Sequence, residues 1–209
     1  DEFIYASKWY YYDKNHWENS DGDVALKLRL DDFYELISEC YLNEYETIIE
    51  RALDGSNDVD KQTKLCKELQ SYYYEPDFET LKDNNKILMA TPSGVIDVSD
   101  IWNVLRPGTP QDYITKKTTI PCVNYNWKHE SVQMVISYFE KILPKKDMRD
   151  YFLKLMSSLL VSSNPEQIFI VFLDKNGDDL YSLKKLIRKT FGEYARTLPC
   201  TAIKSPYKV

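Results

Sequence analysis

A mixed α+β fold, rich in helix and carrying small aromatic β-hairpins, is what this sequence predicts. Two stretches, around residues 3–17 and 84–98, are dense in β-formers and broken by turn residues. Six others repeat apolar residues at spacings of three and four, the period of an amphipathic helix. One continuous apolar run, Gln167 to Leu173, has the length and composition of a strand buried on both faces.

Taken in order, Phe3 to Tyr12 reaches a turn at Asp13-Lys14-Asn15 before His16-Trp17, a short hairpin. Its aromatics Trp9, Tyr10, Tyr11, Tyr12 and Trp17 could stack on bases, but packing against neighbouring helices is the favoured reading. His16 has no partner in the sequence and takes no role. Phe33, Leu36, Ile37, Cys40 and Tyr41 mark one helix beginning near Asp32; Tyr45, Ile48, Ile49, Ala52 and Leu53 mark a second, closed by Gly55. After the polar break Ser56 to Asp60, Leu65, Cys66, Leu69 and Tyr72 mark a third. Residues 84–98 read as strand, Pro-Ser-Gly turn and strand, and a long connection then leads to Asp112, from which a β-like stretch runs to Tyr125. Val132 to Leu143 and Met148 to Leu160 predict a helical hairpin broken at Pro144. Asn164-Pro165 precedes the apolar run, and Leu180, Leu183, Leu186, Ile187, Thr190 and Phe191 mark a last helix ending at Gly192.

With 209 residues, 43% of them hydrophobic and 29% charged, the chain can bury one sizeable core or two small ones, which excludes a disordered polar segment. Six glycines and nine prolines exclude collagen. No apolar run approaches the roughly 18 to 20 residues of a membrane helix, so a soluble protein without a membrane partner is expected. The chain opens on Asp1 rather than Met, which suggests a piece of a longer polypeptide. Cys40, Cys66, Cys122 and Cys200 form no C-x-x-C pair and only His16 and His129 accompany them, so neither a zinc motif nor a disulfide framework is expected. Four thiols acting as small buried hydrophobes fit a reducing, intracellular compartment. Nor do two histidines supply a nucleophile–base pair, and an independent hydrolase is the poorer reading.

Charge divides the chain. Residues 1–80 carry 20 acidic and 8 basic side chains, whereas residues 81–209 carry 13 and 19, so a polyanion would be met by the later half. Lys184, Lys185, Arg188 and Lys189 cluster on the polar side of the last helix, and Lys145, Lys146 and Arg149 on a loop and helix start; both groups are candidate DNA contacts.

A buried strand, a turn and a helix are the setting of a phosphate-binding loop, whose glycines let backbone N–H groups approach phosphate and whose Lys and hydroxyl meet phosphate and magnesium. Here the turn reads Asp174-Lys175-Asn176-Gly177-Asp178-Asp179, putting carboxylates where Lys and Ser or Thr belong. A calcium loop fails as well, with Asp179 in place of the glycine and Lys185 in place of the closing glutamate. A magnesium-binding role for Asp174 is less favoured than a solvated turn.

In order along the chain, the aromatic hairpin ending in Trp17, Asn84 through Gly94-Val95-Ile96-Asp97-Val98, Pro110-Gln111-Asp112-Tyr113-Ile114-Thr115-Lys116, the helix pair to Leu160, the Phe169-centred run and Phe191-Gly192-Glu193-Tyr194-Ala195 before Leu198-Pro199 are similar to one family. The chain resembles the N-terminal domain, and the first strand-loop-helix of the ATPase domain, of the poxvirus-type helicase-primases, superfamily III helicases of large nucleocytoplasmic DNA viruses. The resemblance implies a collar-like domain over residues 1–165 and, over 166–209, one β-turn-α unit of a truncated P-loop (AAA+) sheet with a degenerate loop. It implies a non-catalytic module that supports a ring-shaped homo-oligomer, expected to be a hexamer, and contacts DNA in the host cytoplasm or at a viral replication site. ATP and magnesium would belong to the parent protein, with no cofactor and no catalytic residue in this piece. The alternative is an interaction scaffold derived from that family whose nucleotide site has decayed.

Overall fold

Consecutive aromatics such as Trp9 and Tyr10 can both be buried only if the strand that carries them is covered on both faces, and this is how the N-terminal sheet is built. The computed structural model describes residues 2–20, 23–41, 58–100, 104–123, 125–161, 163–164, 167–173 and 178–199. The chain divides into two compact units, residues 1–84 with 109–115, and residues 85–108 with 116–209.

In the first unit β1 (Phe3–Ala6), β2 (Lys8–Asp13) and β3 (His16–Asn19) form an antiparallel meander in the order β1-β2-β3. The expected turn lies between β2 and β3, and a second, unanticipated reversal at Ser7 turns β1 back on itself with that residue in the left-handed region at φ 63°. Side chains alternate across a strand. Ala6, Tyr10 and Trp17 therefore share one face and enclose Phe78, while Trp9 on the other face packs with Leu26 and Cys66. The second cluster comes from α1 (Val24–Tyr41) and α2 (Val59–Leu69). Asp58 caps α2, accepting hydrogen bonds from the N–H groups of Asp60 and Lys61, which holds its carboxyl below the usual range. Packing thus accounts for Trp9, Tyr10 and Trp17, as the favoured reading of the hairpin expected.

Helix α1 starts eight residues before the sequence pattern suggested. Val24, Leu26, Leu28 and Leu30 alternate with period two and hide a helix whose first turn is tied by the Ala25 N–H to the Ser20 hydroxyl. The helix expected over residues 45–53 lies outside the described residues. Tyr72 falls beyond α2 and is exposed; its neighbour Tyr73 packs on the cluster instead.

Phe78, in the four-residue α3 (Phe78–Leu81), is fully buried, its ring 4.7 Å from Tyr10, 5.8 Å from Trp17 and 6.0 Å from Tyr113. Tyr113 arrives through a 3₁₀ turn, Pro110–Asp112, in which Thr109 and Asp112 cap one another reciprocally. The Trp17 indole N–H donates to the Pro110 carbonyl at 2.8 Å, and Asp83 accepts from the Thr115 N–H and hydroxyl at 2.9 and 2.7 Å.

In the second unit β4 (Leu88–Thr91), β5 (Gly94–Asp97) and β6 (Leu105–Arg106) make another antiparallel sheet, in the order β4-β5-β6. The first hairpin matches the expectation; β6 adds a short strand within what read as a connection. Gly94, at φ 150°, sits where an added Cβ would meet the Arg106 carbonyl oxygen at 2.6 Å. The β-like stretch expected from Asp112 to Tyr125 reduces, among the described residues, to one parallel bridge of Lys117 with Ala90. Helices α4 (Glu130–Ile142) and α5 (Lys146–Ser158) pair as expected, with Phe139 and Phe152 rings 5.5 Å apart. Helix α6 (Asp178–Phe191) and a 3₁₀ turn at Gly192–Tyr194 follow.

Residues 167–173 do not form the expected strand. They are exposed, Phe169 and Leu173 almost wholly, and among the described residues no strand pairs with them; Phe172 reaches back to 6.0 Å from the Phe152 ring. A strand is held by its neighbours' ladders, and β-propensity alone does not supply them. The sheet onto which this run was to open is therefore not seen here, although the helix after it is.

Two outcomes follow from the first unit. Replacing Phe78 by Ala should lower stability by about 3 to 5 kcal/mol, read by urea unfolding, because a fully buried aromatic is deleted from among Tyr10, Trp17 and Tyr113. The Tyr11 hydroxyl donates to Glu18, and that hydrogen bond to a carboxylate pushes the phenol up to about 12 from 10. Folding thus favours the protonated phenol, a contribution complete below about pH 10 and lost as pH rises toward 12. Tyr11→Phe should remove that alkaline loss from the pH dependence of the urea midpoint.

Candidate nucleic-acid interface

Helix α6 places Lys184, Lys185, Arg188 and Lys189 at spacings of one, four and five, so their side chains share one face while Leu183 is buried on the opposite side. All four line one groove of about 730 Å³, together with Tyr181, Thr119, Ile120, Gly192 and Glu193. Among the described residues none of the four cations pairs with a carboxylate. Arg188 and Lys189 also occupy the last turn of α6, where positive charge offsets the partial negative charge of the terminal carbonyls.

A clamp at the end of α6 forms the groove's floor. Gly192, at φ 54°, lets the chain turn so closely on residues 117–119 that an added Cβ would meet the Thr119 nitrogen at 2.7 Å and the Lys117 oxygen at 2.9 Å. The Glu193 carboxylate accepts the Lys117 N–H at 2.8 Å. The Tyr194 hydroxyl accepts the Ala90 N–H at 3.0 Å and donates to the Lys116 carbonyl at 2.8 Å. The groove's acidic residue is thus engaged with backbone, and among the described residues it forms no ion pair with the four cations.

The second basic group is split. Lys145 and Lys146 are exposed at the start of α5, but Arg149 donates to the Leu143 carbonyl at 3.0 Å and lies 3.7 Å from Glu140. Its guanidinium closes the α4–α5 connection. Of the phosphate-loop positions, Asp174, Lys175, Asn176 and Gly177 lie outside the described residues, as do the side chains of Asp178 and Asp179, which open α6. Sequence reasoning missed Tyr181, although it stands three and four residues before Lys184 and Lys185 and so shares their face. Thr119, Ile120 and Glu193 carried no signal, since only tertiary packing brings them to α6. The groove offers no set of three metal-donor side chains; among the described residues such a set occurs in the first unit, at Asp13, His16 and Glu18.

The family described as "D5 N terminal like" matches residues 2–192. The chain belongs to this family. As the order of its motifs suggested, its relatives are viral. It is 26% identical over 211 residues to a protein of Acanthamoeba polyphaga mimivirus named "Putative helicase", covering 88% of this chain and 21% of that protein. Proteins of Invertebrate iridescent virus 6 and Invertebrate iridescent virus 3, also named as putative helicases, are each 26% identical, over 66% and 68% of this chain and 14% and 15% of their own lengths. The chain therefore spans about a fifth of its relatives or less. No helix among the described residues is long and apolar enough to cross a membrane.

Within this D5 N terminal-like chain the motif Gly192-Glu193-Tyr194 acts as the clamp just described. Gly192→Ala should destabilise the second unit by about 1 to 2 kcal/mol through left-handed strain alone, and more through the contact with residue 119. Tyr194→Phe should cost about 1 to 3 kcal/mol by leaving the Ala90 N–H unpaired; amide exchange at Ala90, expected to be slow in the unsubstituted chain and faster in each variant, reads both.

Proposed function

We propose that this chain is a non-catalytic module of a viral replicative helicase-primase, gripping DNA through the α6 groove and supporting assembly of the parent protein into a ring. The convergence of Lys184, Lys185, Arg188 and Lys189 on one groove supports this reading most directly. Phosphates require positive charge without fixed carboxylate partners, and the groove provides it. Tyr181, 68% exposed beside these cations, adds an aromatic face on which an unpaired base can stack, which favours single-stranded over duplex DNA. ATP and magnesium belong to the remainder of the parent, where unwinding would be driven. The boundary near residue 165, with a nucleotide-binding domain beginning at 166, is part of the same proposal.

A second reading has its own support. The Asp-rich sequence at 174–179 and the run 167–173, which forms no strand among the described residues, favour an interaction scaffold whose nucleotide site has decayed.

Fluorescence anisotropy of labelled single-stranded and forked DNA at two salt concentrations, beside the sizing-column elution of the same sample, separates them. Binding should weaken with salt, and changing Lys184, Lys185, Arg188 and Lys189 together to Ala should reduce the slope of log affinity on log salt by up to about 3. Tyr181→Ala should cost roughly 1 to 3 kcal/mol for single strands and little for duplex. No binding at low salt would reject the grip on DNA and favour the scaffold.

A further inference from the structure

The turn between β2 and β3 carries a buried histidine that neither aromatic core uses. Antiparallel register pairs Asp13 with His16 and Tyr11 with Glu18, so the four side chains project to one face of the sheet. Donor atoms of Asp13, His16 and Glu18 lie within 4.8 Å of one another.

His16 is only 4% exposed, and an imidazole that deep is costly unless its nitrogens are satisfied. One of them is: Nδ1 stands 3.1 Å from the Asp13 carbonyl oxygen. A carbonyl can only accept, so this contact puts the proton on Nδ1 and leaves the Nε2 lone pair available to a ligand. Glu18 is oriented in the same manner by the Tyr11 hydroxyl, which donates to its Oε2. Metal-binding imidazoles and carboxylates are held by this kind of supporting hydrogen bond.

We propose that Asp13, His16 and Glu18 form a site for one divalent cation of the zinc class, bound by His16 Nε2 and one oxygen from each carboxylate, with water completing a tetrahedron. One imidazole with two carboxylates suits zinc, cobalt or manganese better than calcium or magnesium, which take oxygen alone, and no thiolate is present to select a softer ion. Ligands about 2.1 Å from a tetrahedral ion stand about 3.4 Å apart, so the donor atoms, now within 4.8 Å of one another, would draw together on binding through the half-buried Asp13 and Glu18 side chains. The cation would cross-link the two strands at their turn, next to Trp17.

The test is calorimetric titration of the metal-free chain with zinc chloride, with cobalt absorption as a second readout. One equivalent should bind and raise the melting temperature. His16→Gln and Glu18→Gln should each lose tenfold or more in affinity and abolish the rise, whereas His129→Gln should retain both; His129 instead caps α4, its Nδ1 accepting the Ser131 N–H at 3.2 Å. If His16→Gln fails to fold by circular dichroism, Glu18→Gln alone decides. No binding at about 100 μM zinc, or undiminished affinity in the deciding variant, would overturn the proposal.

Discussion

The backbone of residues 109–119 is the constraint on which both cores close. In the first unit, the Pro110 carbonyl takes the Trp17 indole N–H and the Ile114 carbonyl takes the Trp17 backbone N–H at 2.6 Å. In the second, the Lys116 carbonyl takes the Tyr194 hydroxyl, and the Thr118 N–H donates to the Ala90 carbonyl at 2.9 Å. A segment with so little ladder of its own must pair its backbone groups elsewhere, since an unpaired buried group costs about as much as the bond it forgoes. Here those partners are the Trp17 indole and backbone in the first unit, and the Tyr194 hydroxyl and the Ala90 carbonyl in the second.

The basic groove depends on this arrangement more than on helix α6 itself. A 14-residue helix with lysines on one face is a common solvated surface. What makes this one a groove is the return of residues 119 and 120 against it, and that return is held by the Gly192 turn and the two bonds of the Tyr194 hydroxyl. Glu193 completes the logic: a carboxylate placed among four cations would neutralise them, but one committed to a backbone N–H does so less.

Much of the architecture was legible. Helices with intact three-and-four spacing, α4, α5 and α6, lie where the pattern put them, because an amphipathic stripe specifies its own buried face. The Asp13–Asn15 and Pro92–Gly94 turns were legible for a different reason, their residues' local backbone preferences. Strand 167–173 was misread because a continuous apolar run states that it needs cover without stating what provides it. The start of α1 was missed because alternating leucines mimic a strand. At the basic sites, composition found Lys184 through Lys189 but could not separate them from Arg149, whose guanidinium is spent on the Leu143 carbonyl.

By itself the sequence determined the helix-rich α+β class, the two aromatic and apolar hairpins, the basic face of α6 and the order of motifs that marks the family. These follow from period, turn chemistry and charge, which are local. Only the tertiary structure decided that Trp9 and Tyr10 are buried on opposite faces, that Tyr181 and Glu193 join one groove, and that Asp13, His16 and Glu18 meet at one turn. The reason is physical: register and close packing set which distant side chains become neighbours, and a linear pattern carries neither.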